Sequence, residues 1–181
     1  MHTFQKLLLV VTSLLLFAGC SRESRLEKAL KKGEELLAAG KYAEAELEFK
    51  TAQQTPQPQP RALVGLGEVY LQQGRLDRAS AFFSKAKELL PDNVDVRLKL
   101  GMCQLSLRQP AEARSAARFV LERRPADPEA PLLLADTSQN GPEVEESRAI
   151  LQALPAPANE GAPALAGQAM LALKEKKFDE A

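Results

Sequence analysis

An all-helical solenoid of αα-hairpins is the fold class this sequence predicts. Three observations point to it: a diet of helix formers, small residues that recur every 34 positions, and helix breakers at a matching interval. Ala, Leu, Glu, Lys, Arg and Gln dominate the 181 residues, aromatics make up 5% and Trp is absent. Such residues have high helix propensity, and β-branched strand formers are few. The apolar share of 45% is enough to bury a core, which makes the chain globular rather than disordered.

The recurrence is the most informative signal. Gly33, Gly67 and Gly101 stand 34 residues apart, and Ala45, Ala79 and Ala113 keep the same step. So do Ala52, Ala86 and Val120, while Phe49 and Phe83 are followed in phase by Ala117, and Gly40 and Gly74 by Arg108. A fixed period of this length marks stacked supersecondary units. The copy from Arg61 to Pro91 resembles the tetratricopeptide repeat (TPR) family through Leu63, Leu66, Gly67, Tyr70, Gly74, Ala79, Phe83, Ala86 and Pro91. The resemblance implies a right-handed superhelical, TPR-like stack of hairpins. Gly67 and Ala79 are expected to let two helices approach, Tyr70 and Phe83 to fill the space beside them, and Gly74 to relieve the turn. Pro91 ends the second helix because it cannot continue the hydrogen-bond ladder.

A single hairpin cannot bury its apolar side, so neighbours must cover it. Residues 26–127 read as three well-formed units, the first closing in the stiff Pro56–Pro60 link. Asp127 is expected to cap the next helix, with Pro128 as its first residue. Residues 128–161 form a degenerate fourth unit, and the prolines and glycines from 136 to 163 predict a hinge. A fifth unit opens at 162 with Leu165, Ala169, Leu173 and Phe178, and Ala181 falls at the Ala79 position of the register. Ending where a second helix should start predicts a fragment of a longer array, to which a catalytic domain could also belong.

The first 20 residues read as an address. Lys6 precedes an apolar run from Leu7 to Phe17, then Ala18-Gly19-Cys20, the pattern of a secretory signal. The run is shorter than the roughly 20 residues that a spanning helix needs. Leu16-Phe17-Ala18-Gly19-Cys20 resembles the bacterial lipobox, with Phe17 where Leu is usual. That resemblance implies lipidation at Cys20. It also implies, with Ser21 following in a Gram-negative cell, sorting to the periplasmic face of the outer membrane. Residues 21–25 are then a short linker, which sets the array close to the membrane.

Lys plus Arg equals Asp plus Glu at 24 each, so no broad basic field exists for nucleic acid. The lone His2 and the two cysteines remove most metal and His-dependent catalytic sets, and no nucleophile–base pair or glycine-rich phosphate loop follows Cys20. Cys103, in mid-helix, reads as a small buried hydrophobe. Neither enzyme activity nor a metal, cofactor or small-molecule substrate is expected.

Protein or peptide segments are the expected partners, with the membrane engaged through the lipid. The family resemblance implies a concave groove lined by first helices, here Leu30, Glu34, Leu37, Val64, Glu68, Leu71, Leu98, Met102, Leu105, Leu132 and Asp136. Glu27, Glu34, Glu68, Asp95 and Asp136 would fringe it with negative charge suited to a Lys- or Arg-bearing segment. Ordinary packing by Leu and the preference of acids for helix starts explain the same residues equally well. These places lack the Lys and Asn of a carboxylate clamp, so the resemblance does not extend to that mode. The readings carried forward are an envelope assembly scaffold and an accessory of exopolysaccharide or sorted-protein export.

Overall fold

The computed structural model describes residues 22–179, with side chains through 177. The signal segment, Cys20 and the side chains of Phe178 and Ala181 lie outside the described residues. Among the described residues there are nine α-helices and no strand. They are α1 (22–38), α2 (Tyr42–Ala52), α3 (Pro60–Gln72), α4 (Leu76–Leu89), α5 (Val94–Ser106), α6 (Pro110–Arg123), α7 (Ala130–Asp136), α8 (Gly141–Gln152) and α9 (Ala162–Asp179). A 3-10 turn at Ala158–Glu160 precedes α9. Two compact units divide the chain, with the boundary between Val69 and Tyr70 inside α3.

The same turn closes α1, α3 and α5. Gly40, Gly74 and Arg108 adopt φ values of +72°, +70° and +60°. At each turn the next amide reaches five residues back: Lys41 to Leu36 O at 2.9 Å, Arg75 to Tyr70 O at 2.8 Å, and Gln109 to Gln104 O at 2.8 Å. This is the Schellman closure, which satisfies carbonyls at a helix end and needs a left-handed residue just past it. The 34-residue glycine track is therefore a track of turns, and Arg108 holds the third place despite its Cβ.

In the first unit α1 and α2 form a hairpin around Phe49, which is fully buried. A Cβ on Gly33 would lie 2.8 Å from the Phe49 ring, and one on Gly65 of α3 only 2.3 Å from it. The ring is thus clasped from its own hairpin and from the next helix.

The second unit holds a continuous core that includes Leu98, Val120, Leu121, Leu134, Val144, Leu151 and Leu171. In its α5–α6 hairpin the close approach is between Gly101 and Ala116, at 2.7 Å from the Cβ a larger residue would carry. Ala113 takes part through its carbonyl oxygen, 3.5 Å away. Tyr70 and Phe83 are both buried, and Tyr70 also stacks on Phe82 with ring centroids 5.4 Å apart. Cys103 is fully buried.

Repeat four departs from its neighbours for a definable reason. The place of the turn residue is taken by Pro142, whose ring fixes φ near −65° and forbids the left-handed closure. The turn moves forward: α7 is only seven residues long, and α8 starts at Gly141 with the Asn140 side chain accepting from the Glu143 amide at 3.0 Å. Packing nevertheless stays in phase, because Ser147 and Leu151 are fully buried at the places of Ala45 and Phe49 three periods earlier. The Asp127 carboxylate accepts from the Glu129 and Ala130 amides at 2.9 and 2.7 Å, but the N-cap place expected of it falls to Glu129. Pro128, however, precedes the helix, which begins at Ala130 with Pro131 second.

The shortened α7 leaves carbonyls that neighbouring repeats satisfy. Lys174 Nζ of α9 donates to Asp136 O at 2.8 Å and Ser138 O at 3.0 Å, and Arg114 of α6 donates to Thr137 O at 3.1 Å. The hydroxyls of Ser138 and Ser147 pair at 2.9 Å inside the buried turn. In α9, Lys176 occupies the turn position of the register, and the helix runs straight through it. No helix among the described residues is long and apolar enough to cross a membrane.

Candidate protein-binding groove

The second unit brings three successive first helices to one concavity. Met102, Leu105 and Ser106 come from α5, Leu132, Leu133 and Asp136 from α7, and Met170 from α9, with Glu129 at the rim. The cavity has a volume of about 350 Å³. Met102, Asp136 and Met170 are successive steps of one 34-residue track, so the repeat geometry itself lays them along a single face. Met102 and Leu132 are each 37% exposed, high for such apolar side chains. Methionine's flexible thioether at two of these places allows the floor to adapt to different apolar anchors.

The expected groove residues do not all reach such a surface. Leu30 and Leu98 are buried at 4% and 5% and serve the core. Leu37, Val64, Glu68, Leu71 and Leu105 are half-buried, and Glu34 is exposed. Met170, Leu133, Ser106 and Glu129 join the cavity without having been anticipated. One further 34-residue step from Asp136 reaches Met170, so that residue was within reach of the pattern.

Most of the acidic fringe already has partners. Arg61 bridges Glu27 and Glu34 at 2.8 and 2.9 Å, and Arg124 pairs with Asp95 at 2.8 Å. Asp136 lies 3.5 Å from Lys174 Nζ. These pairs are solvent-exposed and each contributes at most about 1 kcal/mol, but they reduce the field open to a cationic partner. Glu129 makes no ion pair among the described residues and supplies the uncompensated charge at the groove rim.

Two carboxylates of α8 are ion-paired as well. Glu146 meets Arg114 at 3.3 Å and Arg118 at 2.7 Å, and Glu143 meets Arg114 at 2.6 Å. The Gln139 amide, first, and then Arg114 hold the Glu143 carboxyl below the ordinary glutamate value. No group of His, Cys, Asp and Glu able to hold a metal ion is found among the described residues.

A family model described as tetratricopeptide repeat matches residues 30–94 and 98–163, more than half of the chain. No curated protein matches. Among solved structures, MamA from Desulfovibrio magneticus RS-1 is similar at 19% identity and a TM-score of 0.69, over 86% of this chain and 90% of that one. MamA MSR-1 is similar at 20% identity and 0.68, over 87% and 90%. A tetratricopeptide repeat protein from Parabacteroides merdae ATCC 43184 gives 19% and 0.70, over 87% of this chain and 62% of that one. At such identities the likeness carries the fold alone, an all-α solenoid. The in-phase turns, the apolar groove and the matched residues together show that the chain belongs to the tetratricopeptide repeat family.

Proposed function

We propose that this protein is a lipid-anchored scaffold that holds an envelope protein in the groove of its second unit. The observation that carries the reading is the convergence of Met102, Leu105, Leu132 and Met170 on one cavity with Glu129 at its edge. An amphipathic helix or extended segment fits it, apolar side down and a Lys or Arg toward Glu129. The lipobox-like run ending at Cys20 supports the membrane half of the reading. Several acyl chains on one cysteine give durable anchoring where a single chain would be marginal.

The two halves are tested separately. Metabolic labelling with a palmitate analogue should mark the wild type and spare Cys20→Ala, and an unlabelled wild type would remove the anchor. Crosslinking followed by capture from membranes should recover an envelope protein, and recovery of cytoplasmic proteins alone would overturn the scaffold reading.

A further inference from the structure

The first unit carries a cleft, lined in part by polar side chains, for which the groove has no use. Arg22, Arg25 and Leu26 of α1 line it together with Thr51, Gln54 and Thr55 near the end of α2, around a volume of about 300 Å³. A neighbouring cavity of about 290 Å³ shares Arg22, Leu26 and Thr55 and continues over Pro56 and Gln57, with Glu23 as its one carboxylate.

The surrounding charges are sorted. At about 100° per residue, Arg22, Arg25 and Lys28 fall within about one third of the circumference of the first turns of α1, Glu23 and Glu27 fall on another flank, and Lys31 and Glu35 lie between, further along the helix. Glu27 is turned to Arg61 at 2.8 Å, and Lys32 to Glu48 at 2.7 Å. Arg22, Arg25 and Lys28 are all exposed.

The chemistry of the lining selects a ligand class. Guanidinium groups match phosphate oxygens in a bidentate fork, and threonine hydroxyls and a glutamine amide add donors at the same mouth. Leu26 and Pro56 offer an apolar surface for the glycerol end of a lipid. Position makes the source a membrane: Cys20 precedes Arg22 by two residues, at most about 7 Å of extended chain.

We propose that this cleft seats the headgroup phosphate of an acidic phospholipid, so that the first hairpin is oriented on the membrane surface beside its anchor. The inference rests on the lipid-anchored reading. A basic side chain near an anionic surface contributes a factor on the order of five in binding.

The test reconstitutes the full lipoprotein in phosphatidylcholine vesicles with and without phosphatidylglycerol and follows hydrogen exchange over residues 22–35. Phosphatidylglycerol should slow exchange there on the order of fivefold or more. Added salt should erase the difference, as should Arg22→Gln with Arg25→Gln; circular dichroism confirms that this variant is folded. Equal exchange in both vesicles, or undiminished protection in the double variant, overturns the proposal. So does equal protection by inorganic phosphate in detergent, which would make the cleft a soluble-anion site. Capture of a protein by a photocrosslinker at Thr55 would overturn it too. The mass of the N-terminal peptide reports the anchor independently. If Cys20 is unmodified, phosphatidylglycerol-dependent co-sedimentation of the same chain still supports the cleft, and its absence overturns it.

Discussion

At the scale of single residues, the 34-residue tracks do two different jobs, turning and packing, and substitutions separate them. Arg108 does with a Cβ what Gly40 and Gly74 do without one, at φ +60°. Relief of left-handed strain outweighs the entropy that glycine adds to the unfolded chain, so Arg108→Gly should raise stability by about 0.5 to 1 kcal/mol in chemical denaturation. The packing glycines respond in the opposite sense. A Cβ at Gly65 would sit 2.3 Å from Phe49, so Gly65→Ala should destabilise by about 1–3 kcal/mol, and Phe49→Leu in the same chain should return part of that loss. Three periods later Gly167 meets Leu151 in the same way, at 2.8 Å, which identifies a second packing track. That track escaped the sequence reading because Lys99 and Leu133 interrupt it at the two places between. The tracks through Gly33 and Ala45 were visible because small residues persist there at every step through Gly101 and Ala113.

Among the elements, repeat four is the informative one. Its helix pattern was legible from Leu132 to Leu154, but its turn was not, because Pro142 stands where the register asks for a left-handed residue. The position of the substitute turn depends on long-range contacts that no local pattern encodes: Lys174 and Arg114 collecting the carbonyls at the end of α7. Lys174→Met should therefore cost about 1–2 kcal/mol and speed amide exchange in α7 more than in α4. Glu143 and Glu175 both have carboxyls held below the ordinary value near 4.5, the first chiefly by the Gln139 amide and the second by Arg148. A depressed folded-state value means stability that is present above pH 4.5 and lost as pH falls through the folded value. Acid titration below that point should loosen α8 and α9 before α4. We propose the link after α8 as the place of the expected hinge, because Pro155 and Pro157 have no amide hydrogen to donate and the amides of residues 158–161 reach only local carbonyls. Exchange at residues 156–161 should outpace that in α4, and slower exchange there would remove the hinge.

For the whole molecule, the fold class was legible because a period written many times survives individual exceptions. The groove was legible only in part. Met102 and Leu132 share an exposed face, whereas Leu30 and Leu98, at equivalent steps, are buried, because burial depends on which neighbouring repeat covers each position. The acidic fringe was overread for a similar reason: Arg61 and Arg124 come from other helices, and spacing along one helix says nothing of them. What is left is an apolar cavity with one uncompensated carboxylate, built by three repeats of the second unit. The most direct measurement is site-specific photocrosslinking in cells, with the probe at Leu132 inside the groove and, as a control, at the exposed Leu89 of α4. The Leu132 probe should capture an envelope protein that the Leu89 probe does not, and Met102→Lys with Met170→Lys should abolish the product while the protein stays folded. Equal capture from both probes, or a product that survives the double substitution, would contradict the groove as the place where this protein holds its partner.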